Sequence, residues 1–153
     1  MNQLEMNRQQ DLEEMIMTIA LHDFDNINKV FIKPEWFDNR LFQIIVNKLQ
    51  DTSVKIDGLM DLYARTQAEI KDMTFTYNDL LNLEAKYSTA ENLSYLSKEL
   101  HRNSLRKTLN ELKQEHNFFP TVELEQTMFD ILAEMNKIGA SREEGNLKES
   151  FDL

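Results

Sequence analysis

The sequence predicts an all-α protein, with a compact multi-helix globular body followed by a long antiparallel helical hairpin. Three observations carry that expectation. Only three glycines and two prolines occur among 153 residues, which leaves little material for the tight turns of a sheet protein. Apolar residues recur at spacings of three and four along most of the chain. No glycine or proline interrupts the stretch between Gly58 and Pro120, so the helices there can run long.

The elements follow in order. Asp11-Leu-Glu-Glu14 has the form of a capping box, and Leu12, Met15, Ile16, Ile19 and Ala20 then share one stripe, predicting a helix over 11–22. Phe24, Ile27, Val30 and Phe31 suggest a short second helix that Pro34 stops. Pro34 itself suits the first turn of a third. There Trp36, Phe37, Leu41, Phe42, Ile45, Val46 and Leu49 make an apolar face too broad for a surface helix, which places the heart of the core here. Asp57 is placed to cap the next helix, carrying Leu59, Met60, Leu62 and Tyr63, and Thr76 with Asp79 forms a second capping box.

Ser88-Thr-Ala-Glu91 is the clearest capping box in the chain, and it opens a run through Leu93, Leu96, Leu100, Leu105, Leu109 and Leu112. That run predicts a helix of roughly 28 residues, well beyond the usual three or four turns. Beyond Pro120, Leu124, Met128, Ile131, Met135 and Ile138 step by four, three, four and three, the seam of a coiled-coil-like helix. The short connection makes the two long helices antiparallel neighbours. The division expected is a body over 1–86, a hairpin over 87–138 in the same domain, and a polar loop over 139–153 that begins a linker. Gly139 is placed as the C-cap.

Composition narrows the functions. With no cysteine, disulfides, thiolate metal sites and cysteine nucleophiles are excluded, and a cytoplasmic location is the expectation. No apolar run approaches the roughly 18 residues that span a bilayer, so no membrane partner is expected. The net charge of −10 argues against strong direct DNA binding. No phosphate-binding glycine loop can be drawn from three scattered glycines. His22, His101 and His116 lack metal-ligand spacing, and the paired carboxylates Glu13/Glu14 and Glu143/Glu144 belong to solvated faces. His22 reads as a partner for a helix C-terminus, and the methionines as core filler. No catalytic, cofactor-binding or metal residue is identified, and the chain reads as a binding or assembly module rather than an enzyme.

One local pattern opposes the global charge. His101, Arg102, Arg106 and Lys107 form a basic cluster in which the two arginines share a face. It is either a solvated face balanced by Glu99 and Glu111, or a contact for an acidic partner or neighbouring subunit. The candidate interface comprises Leu100, Leu105, Leu109, Leu112, Met128, Ile131 and Met135 on the seam, with Arg102, Arg106 and Lys107 as polar contacts.

Several segments together resemble the N-terminal domain of DnaB-type replicative DNA helicases. "DLEEMIMTIALHD" resembles the opening helix of that domain, without its usual glycine. "FIKPEWFDNRLFQIIVNKLQ" is similar to the next segment, matching at Pro34, Phe37, Arg40, Phe42, Ile45 and Leu49, with Asn39 where the family carries histidine. "VKIDGLMDLY", "STAENLSYLSKELHRNSLRKTL" and "VELEQTMFDILAEM" continue the resemblance in the same order, over about residues 11 to 138. The resemblance implies a non-catalytic collar domain in DNA replication. Its hairpins pair subunits into a dimer or a hexameric trimer of dimers, and it docks the primase helical domain or a helicase loader within the primosome. ATP and Mg would belong to a separate motor domain, which this stretch lacks, and the divergence suggests a phage source. The alternative is a stand-alone helicase loader or regulator with a collar-like helical fold.

Overall fold

The computed structural model describes residues 2–86 and 89–151, with side chains as far as Ile138. It is all-helical, with no strand among the described residues. The helices are α1 (Gln3–His22), α2 (Arg40–Gln50), α3 (Gly58–Ile70), α4 (Tyr77–Glu84), α5 (Leu93–Phe118) and α6 (Val122–Phe151), with short 3-10 turns at Phe24–Asn28, Pro34–Trp36 and Ala90–Asn92. They fall into two compact units, Met1–Leu100 and His101–Leu153.

In the first unit α1 begins eight residues before the capping box at Asp11. Asn2 caps it instead, accepting the Glu5 N–H at 2.8 Å, and the Glu5 carboxylate returns to the Asn2 amide. The second half of α1 carries more than a stripe. Every residue from Ile16 to Leu21 is buried, the mark of a helix enclosed by its neighbours. Met17 supplies part of that surface, whereas Met15 points outward.

Around α1 lie Trp36, Phe37, Phe42, Ile45, Val46 and Leu49, as the broad apolar face requires. Pro34 starts only one 3-10 turn, because Phe37 is extended. The α-helix begins at Arg40, where the Asn39 side chain accepts the N–H groups of Leu41 and Phe42. Trp36 is buried edge-on to Phe31, with ring centroids 5.4 Å apart. The capping box at Thr76 and Asp79 forms in full and starts α4. Asp57 holds the N-cap position of α3 without a side-chain cap; its own N–H donates to Asp61.

Leu93, Leu96 and Leu100 close the core of this unit, so the first turns of α5 belong with the body. The capping serine expected at 88 lies outside the described residues; Thr89 precedes the Ala90–Asn92 turn that leads into α5.

In the second unit, α5 from residue 101 onward is followed by α6, which Thr121 starts by accepting the Leu124 N–H at 3.1 Å. His116 Nε2 lies 3.2 Å from Glu125 Oε1, and His101 Nε2 lies 3.4 Å from Glu134 Oε1. The C-cap expected at Gly139 and the polar loop after it are replaced by continuing helix to Phe151. Gly139 and Gly145 each cost a helix only about 1 kcal/mol relative to alanine, and Ala140, Arg142, Glu143, Glu144 and Leu147 around them are helix-compatible or helix-favouring residues.

Candidate interaction surfaces

The seam spacing of the second unit has a structural counterpart. Leu109 and Met135 are buried, and Leu105, Leu112, Met128 and Ile131 are half-buried, as are Leu124 and Ile138. Leu100 differs from its neighbours in the candidate interface. It is fully buried in the core of the first unit, so it has no surface to offer another chain.

The basic cluster divides. Arg106 and Lys107 are exposed, and Arg106 donates to Asn103 Oδ1 at 3.0 Å. Arg102 is half-buried, and its Nε is closed off from water without a hydrogen-bond partner. An orphaned charged donor of this kind is costly and favours any arrangement that supplies an acceptor.

A second apolar set lies off the seam. Phe118, Phe119, Val122 and Phe129 are 79%, 74%, 80% and 66% exposed, and Leu132 is also exposed. The signal was present in the sequence. Val122, Phe129 and Leu132 step by seven and three, a helical register that the 124–138 seam does not use. The two long helices also differ in charge. From 101 to 118 there are four Lys or Arg against two Glu, and from 122 to 138 four acids against one Lys.

Within the first unit, a cleft of about 670 Å³ opens where α1, α2 and α4 end and α3 begins. His22 stands at its edge and bonds the Glu84 carbonyl rather than the carbonyls of its own helix. Lys48, also at the cleft, pairs with Glu69 at 2.6 Å.

Among the described residues of the body, Glu13 is the ionisable side chain that is buried. Its carboxylate accepts from Gln9 Nε2 at 2.9 Å and from the Asn39 N–H at 3.0 Å. Burial pushes its carboxyl above the ordinary glutamate range, and the hydrogen bonds from Asn39 and Gln9 oppose that shift.

Among the described residues no group of three or more His, Cys, Asp or Glu could hold a metal ion. No helix among them is long and apolar enough to cross a membrane. No family model, no curated protein and no solved structure matches this chain.

Proposed function

We propose that the chain is an assembly and docking domain of the replicative-helicase collar type, with α5 and α6 of the second unit forming an antiparallel hairpin that pairs subunits. The observation that carries this reading is the exposed apolar set Phe118, Phe119, Val122 and Phe129. Clustered large apolar side chains left in water mark a surface that is covered in use. The nested contacts of His116 with Glu125 and His101 with Glu134 support the antiparallel arrangement.

Charge supports self-pairing. A two-fold dimer places each surface patch against its counterpart, and the basic arm of one copy can then face the acidic arm of the other. Arg102, half-buried with an unpartnered Nε, would gain a carboxylate acceptor in such a pair. The partner beyond a second copy is the helical domain of a primase or a helicase loader, as the resemblance implies, and the domain contributes docking rather than catalysis.

The test is the mass of the protein in solution, by light scattering, with and without a primase helical domain. A dimer or hexamer that takes up the primase fragment is the expected result. A strict monomer at high concentration with no primase bound would rule the proposal out.

A further inference from the structure

We infer that the cleft of the first unit docks a cationic amphipathic segment of a partner protein, a short stretch with a bulky apolar side chain flanked by Lys or Arg. The cleft residues all belong to Met1–Leu100. Its volume, about 670 Å³, takes a few side chains rather than a whole domain.

The apolar floor comes from Phe24, Val54, Ile56 and Leu59, none of them fully buried, so area remains for a ligand side chain to cover. The rim carries Asp23, Asp25, Asp51 and Glu84. Two of these carboxylates are pre-set by their own turns. Asp23 accepts the Asp25 N–H at 3.1 Å, and Asp51 accepts both the N–H and the hydroxyl of Ser53, at 3.0 and 2.6 Å. The Asp25 and Glu84 carboxylates have no cationic partner among the described residues.

Helix ends add to the same field. α1 ends at His22, α2 at Gln50 beside Asp51, and α4 at Glu84, so three helix C-termini, each partially negative, converge on the cleft. α3 and the short 3-10 turn Phe24–Asn28 present N-termini there, and Asp57 and Asp61 lie at the first of these, Asp23 and Asp25 at the second. Two lysines line the cleft, Lys48, which pairs with Glu69, and Lys55, against the four rim acids.

This balance disfavours an anionic ligand, and a bare cation would leave the apolar floor uncovered. A segment with both features satisfies both, the rim charges steering it and the floor supplying the contact that holds it.

The probe is a labelled, amidated hexapeptide, Lys-Arg-Leu-Phe-Arg-Lys, titrated into the isotopically labelled full chain. Its control has the same charge with Gly-Ser in place of Leu-Phe. Saturable binding is expected, with amide shifts centred on Asp25, Val54, Ile56 and Glu84. The control and the Asp25→Asn/Glu84→Gln double variant should each bind about tenfold more weakly. Lys55→Glu should tighten binding. Should the double variant fail to fold, Val54→Ser, at an exposed floor residue, tests the apolar contact and should likewise weaken binding. Equal binding of the control would mean simple attraction to an acidic chain and overturns the inference. So would shifts confined to α6, no saturable binding, or unchanged affinity in Val54→Ser.

Discussion

The Glu13 carboxylate accepts the backbone N–H of Asn39 at 3.0 Å, which ties the middle of α1 to the residue that caps α2. A side chain 2% exposed is thereby spent on joining two helices across 26 positions of sequence. Because burial raises its carboxyl, the folded protein binds a proton more readily than the unfolded chain does. Stability contributed by this group is therefore greatest below the ordinary glutamate range and falls as pH rises through the raised value. Glu13→Gln should remove that slope and be neutral or stabilising at pH 7. Glu13→Ala, which strips Asn39 and Gln9 of an acceptor, should cost about 1–3 kcal/mol. Urea denaturation at several pH values reads both, and a Gln variant that keeps the wild-type slope contradicts the assignment.

Lys71 closes α3 at φ 52°, in the left-handed region, while its N–H still donates to the Gln67 carbonyl. A non-glycine residue there carries a cost of roughly 1–2 kcal/mol. Lys71→Gly relieves it, partly offset by greater freedom of the unfolded chain. A net gain of up to about 1 kcal/mol in thermal or urea unfolding is expected.

Variants of Leu100 and Phe129 test folding and the proposed assembly separately. Leu100→Ala empties a fully buried core position and should cost about 2–5 kcal/mol of stability. Phe129→Ser changes a side chain already in water, so its effect on stability should stay within about 0.5 kcal/mol. Its effect belongs in the solution mass, which should shift toward monomer. The opposite pattern, with Phe129 controlling unfolding and Leu100 controlling mass, would reverse the assignment of the two faces.

Arg102→Glu with Arg106→Glu reverses the basic arm. Assembly or partner binding should weaken while far-ultraviolet circular dichroism keeps its helical signal. Unchanged mass and unchanged primase or loader binding would return these arginines to a solvated face.

Local chemistry decided much of this fold. The helical class, the Thr76–Asp79 capping box and the apolar face of Trp36 to Leu49 were legible because short-range spacing and caps act through neighbours three and four residues away. The helical spacing of the second unit was legible for the same reason, and Leu109 and Met135 within it are buried. Helix starts were less legible. The first helix was expected from Asp11 and the third from Pro34, whereas Asn2 caps α1 through a local bond with Glu5 and Asn39 caps α2, with Glu13 contacting the Asn39 backbone from 26 residues away.

By itself, the sequence determined that this chain is helical and where its apolar faces lie, since both follow from residue type and period. The tertiary structure decided that the stretch Ile16–Leu21 of α1 is enclosed and that Leu100 belongs to the core rather than to a surface. It also decided that the ends of α1, α2 and α4 meet at one acidic cleft. Those outcomes depend on contacts between residues far apart in the chain, and no periodicity encodes which faces meet.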